Sequence, residues 1–335
     1  MVNTSKTNKS NNISKFNNTT LMSMAKNSGG IFCVLILISV FLSFLSPVFL
    51  TKNNLISVLL QITNNMFLAL GMTLIIILGG IDLSVGSIVA MTGTLTVGFI
   101  VTNGMPIWIS VLLGLAMGTA CGLFNGFIIA KFKVPAFIVT LAMMNMASGI
   151  AYLYSGGRST RIMDTTFSKI GTGQLFGVIP YPVIYMILAI IIFIVLLNKT
   201  KLGTYIYAVG GNRESARLSG IPIKKVEITV YALSGLLAAF AGIVLCSRMF
   251  SGQPSAGSGY EMDAIAACVL GGISMSGGIG RISGTILGAI TIGIISNGLN
   301  LLGVSSFWQL FIKGMIILIA ILIDSQKTKI SSKNK

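Results

Sequence analysis

The sequence predicts an all-α polytopic membrane protein with about ten transmembrane helices, and three observations carry that prediction. Of 335 residues, 54% are hydrophobic and 9% charged, with a mean hydropathy of +0.91. A soluble domain carries about 25% charged residues. Apolar runs such as "IFCVLILISVFLSFLSPVFL" (31–50) and "VIYMILAIIIFIVLL" (183–197) reach the roughly 20 residues that cross the hydrocarbon layer. With few polar stretches between them, the spans must be helical, because lipid offers backbone groups no hydrogen-bond partner.

Taken in order, residues 1–30 are rich in Asn, Ser, Thr and Lys and read as a disordered cytoplasmic tail. The next apolar run exceeds a signal-peptide core and lacks a clear small-x-small cleavage site, so it reads as an uncleaved first helix. Spans are expected near 31–50, 55–79, 84–103, 107–130, 134–156, 182–198, 228–247, 263–280, 283–302 and 304–323. The connections around 79–84 and 280–283 are so short that some helices there are expected to be broken or re-entrant. Residues 31–324 read as one membrane domain, and 325–335 as a basic cytoplasmic tail. Segments 157–180 and 248–262 read as external loops, and 199–227 as the one large internal loop.

The net charge of +16 raises nucleic acid as a partner. Its distribution argues against that. Segments 1–30 and 325–335 hold four lysines each and no acid, and 199–225 holds six basic residues and one acid. These clusters flank apolar spans as the positive-inside rule expects, with no basic face interleaved with aromatics. Both termini and the 199–227 loop therefore fall on the cytoplasmic side, with membrane lipid as the surrounding medium.

Catalysis has no visible home, so no catalytic residue is assigned. The chain has no histidine, which removes Ser-His arrangements and histidine metal ligands. Cys33, Cys121, Cys246 and Cys268 stand singly in apolar segments, without metal-ligand spacing. No G-x-x-x-x-G-K-[ST] occurs, so the chain has no P-loop of its own. "GGIGRISG" (277–284) has the wrong spacing for a dinucleotide loop and lies between spans.

The informative residues are polar ones inside the spans. "ILGGIDLSVGS" (77–87) contains Asp82, a carboxylate costing about 2.5–3.5 kcal/mol at a bilayer centre unless it faces protein, water or a partner. It reads either as part of a polar pathway or as the cap of a helix starting near Ser84. Gly79, Gly80 and Gly86 permit the break. An echo, "GGISMSGG" (271–278), predicts a second break at Gly271 and Gly272 and suggests an internal duplication, parallel or inverted. Asn64, Asn65, Asp82, Ser84, Asn297 and Asn300 are candidate pathway residues, since side-chain amides offer a hydroxyl-bearing solute both donors and acceptors and suit a neutral polar solute better than an ion. The alternative is that the amides only bond helix to helix. Glu261 and Asp263 are expected at the interface that starts the eighth span, and Lys313 lies within the last one. In "AVGGNRESARLSGIPIKK" (208–225), Asn212 is an N-cap, Arg213 to Ser219 allow about two helical turns, and Gly220 with Pro222 ends them. A short exposed helix there suits docking to a soluble partner.

At this point the residues resemble a known family. "GMTLIIILGGIDLSVGS" (71–87), "KLGTYIYAVGGNRESARLSGI" (201–221), "SGQPSAGSGYEMDAIAACVLGGIS" (251–274) and "SNGLNLLGVSSFWQLFIKGMIILIAILID" (296–324) resemble the membrane permeases of ABC-type sugar importers, most of all the ribose-transporting members. The likeness runs from about 31 to 324; the Asn/Ser-rich N-tail and "MSGGIGRISG" (275–284) depart from it. It implies a homodimeric pore in a bacterial cell membrane that takes a monosaccharide from an extracellular or periplasmic sugar-binding protein. A separate cytoplasmic ATP-binding subunit uses the ATP, and this chain binds no cofactor. On that resemblance Gly211, Asn212, Arg213, Glu214 and Arg217 lie nearest the ATPase. The competing reading is a stand-alone ion- or proton-coupled transporter, which needs titratable residues along its path and finds only Asp82, with Lys313 a distant second.

Overall fold

A computed structural model describes residues 30–333; the expected N-terminal tail lies almost wholly outside them. The helices are α1 (Gly30–Leu45), α2 (Lys52–Leu78), α3 (Val85–Val101), α4 (Ile107–Phe132), α5 (Ala136–Ser155), α6 (Thr165–Thr172) and α7 (Tyr181–Lys199). They continue with α8 (Lys201–Gly211), α9 (Arg213–Leu218), α10 (Ile223–Met249), α11 (Tyr260–Leu270), α12 (Ile282–Leu301) and α13 (Ser306–Lys333). Six of them are long and apolar enough to cross a membrane, and α1, α3 and the Ser306–Ile319 part of α13 are shorter apolar stretches. The protein is an all-α, multi-pass membrane protein. The last helix runs to Lys333, within the segment 325–335 expected to be a basic cytoplasmic tail.

Glycine spacing positions the core. On α4, Gly114, Gly118, Gly122 and Gly126 recur every fourth residue and are buried. A Cβ on Gly118 would stand 2.5 Å from the Ala239 methyl, and one on Gly126 2.7 Å from Ile228 Cα. Backbone therefore approaches backbone along the α4–α10 seam, which is how small residues bring membrane helices together without a hydrophobic drive. α2 lies behind this seam, with Met66 to Leu78 buried almost without interruption.

The eighth span departs from expectation. The helix over 263–280 is instead an 11-residue piece, Tyr260–Leu270, followed by irregular backbone to Arg281. Nor is 248–262 simply an external loop. Gly252 packs on Thr94 and Val97, and Gly257 packs on Val89, so the segment descends along α3 into the membrane layer. Gly271 and Gly272 end the helix, and Gly272 takes a φ of +79° that glycine alone adopts at little cost.

The 157–180 loop is folded. Asp164 caps α6, accepting from Thr166 N at 2.7 Å and Phe167 N at 3.0 Å. Ser247 on α10 then accepts Gly171 N at 2.8 Å and donates to the Phe167 carbonyl at 2.7 Å. Strand β1 (Thr160–Arg161) pairs antiparallel with β4 (Ser251–Gly252), while β2 (Gln174–Leu175) and β3 (Ile179–Pro180) form a small hairpin.

Candidate functional site

The first break follows from Gly79, whose φ of +93° ends α2 while its N–H bonds back to Ile75 and Ile76. Asp82 sits in the break with no exposed surface. Its Oδ1 accepts Ser84 N at 2.9 Å and Ser84 Oγ at 2.6 Å, and its Oδ2 accepts Ser234 Oγ of α10 at 3.4 Å. Asn125 Nδ2 of α4 donates to Ser84 Oγ at 3.1 Å. Ser84 occupies the N-cap position of α3, so the carboxylate holds the cap residue itself and does not reach an N–H of the first helical turn. Asp82 thereby fastens the break to α4 and α10. The Tyr231 hydroxyl is buried nearby without a partner, where a Cβ on Gly80 would come within 2.5 Å of it.

The second break meets the first. Thr73 Oγ1 lies 2.7 Å from Thr285 Oγ1, and the Cys268 thiol points to the Ala69 carbonyl at 3.4 Å. Farther along both chains, Gly278 N donates to the Ile77 carbonyl at 2.8 Å. Advancing from Ala69 to Ile77 thus advances the partner from Cys268 to Gly278, so α2 and α11 run in the same sense. The two Gly-rich breaks therefore lie at the same end of the bundle, and the segments leading into them run in the same sense.

α8 closes over both breaks. A Cβ on Gly210 would collide with the Ile77 carbonyl and stand 2.8 Å from Gly278 N. One on Gly278 would lie 2.7 Å from Gly211 Cα. Tyr207 Oη donates to the Gly280 carbonyl at 2.7 Å. Only a residue without a side chain at 210 lets α8 seat here.

Beyond this joint α8 ends at Asn212, whose Oδ1 accepts Ser215 N at 2.8 Å and caps α9. Gly211, Asn212, Arg213, Glu214 and Arg217 are all exposed at this tip, while Ala216 faces inward. Their surroundings differ. Arg213 forks onto Glu227, with Nη2 to Oε2 at 3.2 Å, and Glu227 is buried at the start of α10. Arg213 therefore fastens α9 to α10. Glu214 and Arg217 pair with each other, and that hydrogen bond above all holds the Glu214 carboxyl below its ordinary value.

The other candidate residues do not converge on Asp82. Asn297 exchanges amide hydrogen bonds with Asn54 at 2.9 and 3.1 Å, locking α12 to the first turn of α2. Asn300 is exposed and accepts from Gln309 at 2.9 Å. Asn64 Nδ2 and both amide atoms of Asn65 are buried with no hydrogen-bond partner. Lys313 meets Asp263 at 2.8 Å, so the basic residue of the last span has a partner on α11. Sequence reasoning missed Tyr207, Gly210, Gly277 and Gly278. Only the echo at 271–278 pointed to the last two, and nothing in sequence joins them to α8.

Apolar spans broken twice, with one polar tip seated on both breaks, define a multi-pass membrane permease subunit. The chain belongs to the family described as branched-chain amino acid transport system / permease component, which it matches over residues 54–321. It is 46% identical over 301 residues to the ribose import permease protein RbsC of Bacillus subtilis, covering 89% of this chain and 92% of the relative. It is 47% identical over 298 residues to RbsC of Escherichia coli K12, covering 88% and 92%. The L-arabinose transport system permease protein AraH of the same strain is 41% identical over 283 residues, covering 84% and 86%. No solved structure matches the chain.

Proposed function

We propose that the chain is the pore-forming subunit of an ATP-driven importer of a monosaccharide, ribose before other pentoses. ATP is bound and hydrolysed by a separate cytoplasmic subunit that docks on α9. The sugar is delivered by an extracellular binding protein at the opposite end, and two copies of the chain form the pore in a bacterial cell membrane. The basic end, carrying Lys131, Lys133, Lys199, Lys201 and Arg217, faces the cytoplasm with both termini. The chain itself carries no cofactor.

One observation supports this reading above others: the exposed Glu214–Arg217 tip is connected through Gly210 to Ile77 and Gly278, the edges of both helix breaks. A partner that grips the tip differently in its ATP-bound and ATP-free states shifts the breaks between two arrangements, because only differential affinity moves an equilibrium. Asp82, fully buried and tied to three hydroxyl or N–H donors, is a support and not a proton carrier, which disfavours the ion-coupled alternative.

Reconstitution in proteoliposomes tests the reading. Ribose uptake is expected only when the ATP-binding subunit, ATP and a sugar-loaded binding protein are all present. Uptake driven by a proton gradient without that subunit overturns it.

A further inference from the structure

Residues 253–259 are not helical, yet they run inside the membrane layer. Asp82 is bonded to Ser234, and Val89 packs on Gly242. At about 1.5 Å per residue, Gly86 between them lies roughly 23 Å along an α10 that is roughly 40 Å long. Gly257 and Glu261 both press against Gly86, which places them near the middle of the bundle.

Irregular backbone at that depth is tolerated only where protein buries it or where it lines a water-filled cavity. Protein covers one side: Ser251, Gly252, Pro254 and Gly257 are buried. The other side is uncovered, with Ser255, Ser258 and Met262 exposed. Among these residues Glu261 is the informative one. Its neighbour Asp263 is buried and neutralised by Lys313, and successive odd positions on a helix point to different sides. Glu261 instead stays partly exposed. Its carboxylate accepts from Gly259 N at 3.2 Å and from its own backbone N–H, and its second oxygen lies beside Gly86. The ion pairs among the described residues do not include it. An unpaired carboxylate at mid-membrane is retained where it meets water or a polar solute. The same segment begins beneath a cavity of about 710 Å³ lined by Ser159, Arg161, Ser251 and Gln253 together with Met163 and Phe250, at the end remote from α9.

We propose that the 253–261 segment is the wall of the sugar passage, leading from this cavity to Glu261, whose carboxylate accepts hydroxyls of the passing pentose with Ser255 and Ser258 beside it. A carboxylate accepts from two neighbouring hydroxyls at once, while the serines both donate and accept. This assignment rests on the importer reading and adds the residues that touch sugar.

The test uses the complete system: this chain with its ATP-binding subunit in proteoliposomes, loaded binding protein and radiolabelled D-ribose. Glu261→Gln, which keeps one acceptor and adds a donor, is expected to cut maximal uptake at least fivefold. ATP hydrolysis stimulated by the loaded binding protein should stay within twofold of wild type. Separately, Ser258→Cys is expected to react with a membrane-impermeant methanethiosulfonate reagent above the unmodified chain's background, and the adduct to block uptake. Wild-type uptake by Glu261→Gln overturns the carboxylate's role. Labelling of Ser258→Cys by a lipid-soluble maleimide alone overturns the wet passage, and that reading stands even where Glu261→Gln fails to insert. Absence of ATP-dependent ribose uptake by the wild-type chain is a different failure, that of the importer reading, and leaves the labelling result intact.

Discussion

Gly278 donates its backbone N–H to the carbonyl of Ile77 at 2.8 Å, and so ties the second helix break to the end of the helix that leads into the first. Gly210 of α8 lies against both groups. A displacement of α8 therefore cannot reach one break without reaching the other.

Gly210→Ala places a methyl into the Ile77 carbonyl. The variant is expected to insert and to bind the ATP-binding subunit, because α9 is untouched. Its ATP-driven uptake should fall at least tenfold. Uptake at the wild-type rate would show that α8 does not transmit through this joint.

Arg217→Glu sets two carboxylates three residues apart on the exposed tip, where Arg217 now pairs with Glu214. Copurification of the ATP-binding subunit should be lost while the chain still reaches the membrane. Normal ATP-driven uptake by this variant would move the docking surface elsewhere.

The same pair sets a pH dependence. Because the Arg217 hydrogen bond lowers the Glu214 carboxyl, the favourable pairing is fully present above the ordinary carboxylate value and is lost as pH falls through the lowered one. Subunit association, followed by light scattering, is expected to be flat from about pH 8 to about pH 5 and to weaken only below the ordinary carboxylate range of about 4.3. A midpoint near neutrality would exclude this pair as the titrating element.

Asp82→Asn keeps the oxygen that accepts from Ser84 and turns an amide toward Ser234 Oγ, which accepts as well as donates. Uptake should stay within about threefold of wild type. Asp82→Ala leaves the Ser84 and Ser234 groups buried and unpaired, a loss of about 1–3 kcal/mol, read as a lower melting temperature in detergent. If Asn and Ala behave alike, the hydrogen bonds are not what the carboxylate supplies.

Asn297→Ala removes one half of the reciprocal amide pair with Asn54. Interhelical hydrogen bonds in membranes are typically worth about 0.6 kcal/mol, so only a small stability loss is expected, with the uptake rate unchanged. A large loss of uptake without a loss of stability would return Asn297 to the sugar path.

Much of the protein was legible before any coordinates. Apolar runs located nine of the ten expected spans near their helices, because lipid leaves the backbone no alternative to internal hydrogen bonds. Asn212, Gly220 and Pro222 marked α9 through local capping chemistry, which depends only on neighbours in sequence. The eighth span failed for the complementary reason. Residues 263–280 are apolar enough for a helix, but Gly271 and Gly272 stop it and α3 supplies the packing surface for a turn-rich descent at 251–259. The seam of Gly114, Gly118, Gly122 and Gly126 went unread in the sequence, because only the packed structure names α10 as its partner.

By itself, then, the sequence determined a helical membrane protein with two Gly-rich breaks and one polar tip at its basic end. Those properties follow from solvation and local backbone preference, which act over a few residues. Only the tertiary structure decided that the two breaks lie at the same end of the bundle, that Gly210 of α8 seats on both, that Asp82 is sealed among Ser84 and Ser234, and that Glu261 is left unpaired where Asp263 is not. Each of these depends on which distant backbones approach within contact distance, and no local preference encodes that.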